Sequence, residues 1–213
     1  KKPPKGLRPA EWQALYRTLR QIDEDAADLA LFLLHSGWRW SEATGLSVWD
    51  VDLGTPVYVT MGRVLRRNAA GQNVIVEDAK SAAGQRRVKL PHEAGLMVAR
   101  RMAEAAPGGL LFTTREGATL NYAHFRERAW NVAARIAGLP RIPTPHELRH
   151  THVWWMVQSG ASLPELQSRI GHASIKTTID VYGRMVTDVG DVALDGFSAL
   201  AAGPSLPERP ALD

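Results

Sequence analysis

A chain of 213 residues with 45% hydrophobic content has enough material for one large domain or two small ones around a real core. It holds no cysteine, which excludes a disulfide framework, a cysteine-zinc site and a thiol nucleophile, and no apolar run approaches membrane-spanning length. A formal net charge of +4 and a sequence pI of about 9.6, with arginine well ahead of lysine, are compatible with a polyanionic partner.

Lys1 to Lys5 is a basic, proline-containing lead-in, so residues 1–6 read as a linker remnant. Trp12, Leu15, Tyr16 and Leu19 recur at helical spacing and predict a helix over Leu7–Leu19. Asp23–His35 is rich in Ala and Leu and predicts a second, buried helix. Gly37-Trp38-Arg39-Trp40-Ser41-Glu42 opens the next element, followed by apolar Ala43, Leu46, Val48, Trp49 and Val51. Taken alone, Arg39 is a surface cation at a helix start and Glu42 an acid favoured by the helix dipole.

From Pro56 the pattern turns to strands: Val57–Val59, Arg63–Arg66, Asn73–Glu77 and Arg86–Leu90. The last two bracket Asp78–Gln85, a polar, glycine-containing turn, and together they predict one small antiparallel sheet. Arg86 and Arg87 read either as contacts to nucleic-acid phosphate or as solvated strand charges. Pro91–Ala105 predicts a helix, broken at Pro107-Gly108-Gly109. Asn121–Gly138 predicts a long helix with Phe125, Trp130, Val132, Ala133 and Ile136 in the core.

Pro145–Tyr182 predicts three short helices. Pro145 opens the first, where a missing N–H costs nothing, and His146 and Arg149 share one of its faces. Gly160 stops it. Ser162 caps the second, which runs through Leu166 and Ile170 to Gly171. His172 follows in the turn, and Ser174 caps a third helix that carries Tyr182 near its end. The tight turns bring His146, Arg149, His172 and Tyr182 to one surface. Beyond them, Leu194, Phe197 and Leu200 suggest a helix within Val192–Ala201, and Gly203–Asp213 is proline-rich and expected to be disordered.

Two motifs compete for this region. His146-Glu147-Leu148-Arg149-His150 matches the H-E-x-x-H zinc-protease helix. Against it, the motif falls in the first helical turn, Val153 and Met156 stand where the extended form needs glycine and histidine, and Arg149 sets a cation beside the metal. The longer match is H-x-L-R-H-T from His146, then G-H-x-S-I-x-T-T from Gly171, then Tyr182. This combination resembles the C-terminal signature of the tyrosine recombinase (phage integrase) family. The resemblance runs from about Leu7 to Met185, nearly the whole chain.

The resemblance implies an α+β catalytic domain over residues 7–185, mostly helical with a small antiparallel β-sheet, of the DNA breaking-rejoining type. Residues 186–213 become a tail whose short helix docks in cis or into a neighbouring subunit. Arg39 maps to the first phosphate-binding arginine and Glu42 to the acid that orients it. Lys80 maps to the β-turn lysine that protonates the departing 5′-oxygen, with Lys89 as runner-up. Arg149 maps to the second phosphate-binding arginine, His172 to a hydrogen-bond donor, His146 to the proton acceptor and Tyr182 to the nucleophile. A tyrosine of pKa near 10 needs such cations and proton removal before it can attack phosphorus. The product is a 3′-phosphotyrosyl linkage, resolved by a 5′-hydroxyl, with no metal or other cofactor required. His150 and His152 read as structural or DNA-proximal.

The implied partner is double-stranded DNA at attachment-type sites, inside the cytoplasm of a bacterial host and not at a membrane. A homotetramer on DNA, a monomer for the isolated domain, and accessory DNA-bending or directionality factors follow from the same likeness. The family normally carries a helical core-binding domain first, and this chain begins where its linker is expected. A type IB-like topoisomerase and a DNA-binding module that has lost catalysis are the alternative outcomes.

Overall fold

Asp23 and Gly37 set the two ends of the central helix. In the computed structural model, which describes residues 6–77 and 86–171, α1 is Pro9–Ile22 and α2 is Glu24–Ser36. The Asp23 carboxylate accepts from the Ala26 N–H at 3.0 Å, satisfying one of the free donors of the first turn. Gly37 closes α2 with φ +68°. Almost every side chain from Ala26 to Leu34 is buried, as the Ala/Leu-rich run predicts. Trp12, Leu15 and Leu19 of α1 pack into the same core. Helix α3, Trp40–Ala43, follows directly.

Gly37 admits no side chain. A Cβ there would lie 2.5 Å from the His152 ring, and the left-handed φ already disfavours one. Gly37→Ala is therefore expected to cost about 2–3 kcal/mol, from strain plus overpacking, measurable by urea denaturation.

Strands β1 (Val51–Asp52), β2 (Tyr58–Met61) and β5 (Arg86–Lys89) form an antiparallel sheet in the order β1-β2-β5. Strands β3 (Arg63–Arg67) and β4 (Asn73–Glu77) form a separate antiparallel ribbon, with Arg63 opposite Glu77. The single sheet expected from sequence is thus two. The cause is the Asn68–Gln72 turn: Asn68 N–H donates to Gln72 O and Gln72 N–H to the Asn68 side chain, each at 2.9 Å. That local closure pairs β4 with β3, while β5 pairs with β2 through Val59 and Val88. The turn expected over Asp78–Gln85 lies outside the described residues.

Helix α4, His92–Glu104, is pinned to α2 by charge. Buried Asp28 pairs with Arg100 and, at 2.6 Å, with Arg101. The long helix expected over Asn121–Gly138 is helical but not uniform. It consists of α5 (Tyr122–Phe125), a π turn (Arg126–Trp130) and α6 (Asn131–Ile136). Phe125, Trp130 and Ala133 are core as expected, but Ile136 is 66% exposed. The wider π turn shifts the helical phase, so Ala134 takes the inward place instead.

Helix α7 is Glu147–Gln158 and α8 is Leu163–Ile170. Ser162 caps α8 by accepting from the Glu165 N–H at 3.3 Å, and Gly171 ends it, both as expected. Val153 and Val157 of α7 pack on Leu166 and Ile170 of α8 in a small second core. Each such side chain contributes about 1.5–3 kcal/mol relative to exposure. Among the described residues no helix is long and apolar enough to cross a membrane. The expected linker remnant, the third helix of the Pro145–Tyr182 region and the C-terminal tail lie outside the described residues, apart from Gly6.

Candidate active site

Arg39 sits at the N-cap of α3 and its side chain is 46% exposed. Glu42, one turn on, is buried at 3% exposure and reaches back to it. One carboxylate oxygen takes the Arg39 guanidinium at 2.8 Å, and the other takes the Arg39 backbone N–H at 2.7 Å. This is capping-box geometry turned to hold an arginine side chain as well. Trp40 locks the turn by packing on Tyr122 and Phe125. Burial alone would raise the Glu42 pKa, but Arg86, Arg39 and the backbone donor outweigh it and hold the carboxyl below its ordinary value.

Arg86 is that carboxylate's second cation. Its Nη2 donates to Glu42 at 2.5 Å and its Nε to the Arg169 carbonyl at 2.8 Å. The guanidinium lies 5.3 Å over the Trp38 ring, and the side chain is only 5% exposed. Neither reading of Arg86 from sequence, as phosphate contact or as solvated charge, describes this buried, paired position. The period-2 alternation of β5 explains it: Arg86 and Val88 face inward, and Arg87 and Lys89 outward. Arg87 does stand at the surface, paired with Asp52 at 2.5 Å and stacked 3.9 Å over Tyr58.

The approach to α7 is fixed by Trp130, whose Nε1 donates to the Pro143 carbonyl at 2.7 Å. Thr144-Pro145-His146-Glu147 then forms a turn, so the helix proper starts at Glu147 rather than at Pro145. Glu147 accepts from the Thr144 N–H at 2.9 Å and pairs with Arg141 at 2.5 Å. The glutamate of the H-E-x-x-H match therefore fastens the turn that leads into α7. Among the described residues no three histidine, aspartate or glutamate side chains gather where they could hold a metal ion.

Arg149 is 3% exposed and links three elements. Its Nη1 donates to Gly37 O at 2.7 Å and its Nη2 to Ile170 O at 2.6 Å. The first bond places it beside the backbone that leads into Arg39. His146 stands one turn earlier at the surface, its ring 5.1 Å from that of His150 in edge-to-face contact. Partial burial, then Arg149 and Arg39, push the His146 pKa below 6.5, against a weaker pull from Glu147 and Glu42. His150 is pushed down too, by burial first and then by His146.

Sequence reasoning passed over Arg169. Its guanidinium donates to His35 O at 2.9 Å, Lys89 O at 3.2 Å and, at 3.4 Å, to the His152 Nε2. It thus ties the end of α8 to the ends of α2 and β5 and to α7. No sequence signal pointed to it, because all three partners are distant in the chain. Lys80, His172 and Tyr182 lie outside the described residues. What the described residues assemble is an exposed arginine, a buried arginine and a histidine biased to the neutral form. The exposed Arg39 guanidinium can meet an anion and a neutral His146 can accept a proton, while both Nη atoms of Arg149 donate to backbone carbonyls.

A family model described as the phage integrase family matches residues 5–187. The integrase of Staphylococcus phage L54a is 27% identical over 157 residues, covering 69% of this chain and 44% of its own. Tyrosine recombinase XerD of Neisseria meningitidis is 30% identical over 200 residues, 86% of this chain and 59% of its own. XerD of Mycobacterium leprae is 34% identical over 158 residues, 70% and 45% respectively. The chain spans about half the length of the curated relatives it matches. Among solved structures, a Tn1549 transposon integrase in complex with transposon right end DNA superposes with a TM-score of 0.78 at 22% identity, covering 93% of this chain and 67% of that one. The XerA recombinase gives 0.65 at 20% identity, covering 97% and 66%. These likenesses are of fold, and the α+β, mostly helical architecture expected from the sequence is the one observed.

Proposed function

Because the chain belongs to the phage integrase family, we propose that it is the catalytic part of a site-specific DNA recombinase of the phage-integrase type. It cuts and rejoins double-stranded DNA through a 3′-phosphotyrosyl intermediate. The observation that carries this is the convergence of Arg39, His146 and Arg149, with Arg149 bonded to Gly37 and both arginines acting on the His146 ring.

In this mechanism Arg39 and Arg149 hold the scissile phosphate and stabilise the negative charge that grows on it. His146 takes the proton of the Tyr182 hydroxyl as its oxygen attacks phosphorus. Lys80 protonates the departing 5′-oxygen, and His172 donates to a non-bridging oxygen. The phosphotyrosyl bond keeps the energy of the broken phosphodiester, and a 5′-hydroxyl from another strand then displaces the tyrosine. The roles of Lys80, His172 and Tyr182 rest on their motif positions. Glu42 orients Arg39, and the required positive charge comes from side chains. On this reading the chain works as part of a tetramer on attachment-type DNA sites, in the cytoplasm of a bacterial host.

The test is covalent trapping. The protein is incubated in EDTA with a nicked DNA carrying its recombination site, and SDS-resistant adduct is digested and mapped. An adduct on the peptide holding Tyr182 is the expected result. DNA-bound protein that forms no adduct would mark a binding module without catalysis. Plasmid relaxation without strand exchange would mark a topoisomerase.

A pH prediction follows from His146. The base acts only when neutral, and its depressed pKa keeps it neutral through the neutral range. At subsaturating DNA, where the rate reports the free protein, single-turnover cleavage should therefore hold from about pH 8 to about pH 6.5 and fall only below that. A half-rate point above the ordinary histidine value would remove His146 from the role.

A further inference from the structure

Glu42 is one buried carboxylate serving two guanidiniums. Arg39 and Glu42 alone would sum to zero charge, and Arg86 brings the trio to one net positive charge. The two arginines differ in where they face. Arg39 reaches the surface, where a phosphate can approach, and Arg86 lies inside. Arg86 is also fixed from other sides, by the Arg169 carbonyl and the Trp38 ring. Gly171 abuts it so closely that a Cβ there would lie 2.7 Å from its Nη1.

A bare carboxylate 2.8 Å from Arg39 would compete with an incoming phosphate for the same donors and would repel it. A second cation on the far side of that carboxylate removes the competition while leaving the orienting bonds in place. We propose that Arg86 is a positioning residue of the cleavage reaction: it neutralises Glu42 so that Arg39 keeps its charge for the scissile phosphate. Through the Arg169 carbonyl it also couples this pair to the end of α8. The proposal rests on the DNA-cleavage reading above.

The experiment compares wild type, Arg86→Met, Glu42→Gln and the double variant, each first checked for folding by circular dichroism and thermal melting. Single-turnover adduct formation is read at saturating DNA, and DNA affinity is read against salt. Arg86→Met should slow cleavage about tenfold or more and lower DNA affinity with it, because the bare Glu42 carboxylate then repels the phosphate that Arg39 meets. Adding Glu42→Gln should restore about fivefold of that loss, because the double variant again carries one positive charge and no bare carboxylate. A double variant no faster than Arg86→Met overturns the proposal. So does a fall in affinity that Glu42→Gln leaves in place, which would make Arg86 a phosphate ligand in its own right.

Should Arg86→Met fail to fold, Arg86→Lys decides. It keeps the charge and should cleave within about threefold of wild type, and a loss of about tenfold overturns the charge argument. A wild type that forms no adduct defeats the recombinase reading instead. The pairing is then judged by NMR titration of the Glu42 carboxyl in free protein. Its midpoint should rise in Arg86→Met, and an unmoved midpoint overturns the proposal.

Discussion

Arg149→Met is expected to slow covalent adduct formation at saturating DNA by about a hundredfold or more, the scale seen when a preorganised transition-state donor is lost. The same change should lower stability. Arg149 donates to Gly37 O at the end of α2 and to Ile170 O at the end of α8. Two buried carbonyls then lose a donor, at about 1–3 kcal/mol each. The two effects separate because they respond to different variants. Arg149→Lys keeps a cation near the site but cannot span both carbonyls, so it should recover part of the rate and less of the stability. Rates must be taken well below each variant's melting temperature. A folded, DNA-saturated Arg149→Met protein that cleaves within about tenfold of wild type would take Arg149 off the phosphate.

Local chemistry made some of this structure readable in advance and hid the rest. The ends of α8 were legible because a cap is a matter of one or two residues, Ser162 and Gly171, whereas α2 was read from its Ala/Leu-rich run and its caps, Asp23 and Gly37, emerge only in the structure. The division of the sheet was not, since the Asn68–Gln72 turn decides strand pairing and reads only as a loop. Ile136 escaped because a π turn moves the helical phase without any marker in composition. At the site, Arg39 and Glu42 on their own describe any helix start, and only the ordered motif around Arg149 lifted them above that. The burial of Arg86 could have been read from Val88, two residues on, had the alternation been trusted over the charge. Arg169 could not, because His35, Lys89 and His152 come to it only through tertiary packing.

Acid should destabilise the protein well before its carboxylates titrate, and His152 is the main reason. The ring is 5% exposed, and its Nδ1 lies 2.7 Å from Leu34 O. A carbonyl can only accept, so Nδ1 carries the proton and Nε2 presents its lone pair toward Arg169. A second proton would place a buried cation against that guanidinium. Burial first, and Arg169 next, depress the pKa from 6.5 to about 3. The folded protein therefore keeps this ring neutral while the unfolded chain protonates it below about pH 6.5, so stability is full above that pH and falls beneath it. The slope approaches about 1.4 kcal/mol per pH unit, or about 2 kcal/mol between pH 6.5 and pH 5. His35, His146 and His150, also depressed, act in the same direction. Glu42, lowered from 4.5, contributes stability that is lost only at lower pH.

Urea denaturation of wild type and His152→Gln at several pH values between 7.5 and 5 isolates the term. The variant should be less stable at pH 7.5, yet its curve should be flatter by about 2 kcal/mol across the window. Parallel curves would mean that the folded protein protonates His152 as readily as the unfolded chain does. The same measurement guards the kinetic assignment of His146, because both effects begin below pH 6.5. A cleavage rate that falls while the protein remains folded reports the base. A rate that falls only with the melting curve reports His152 and the packing around Arg169.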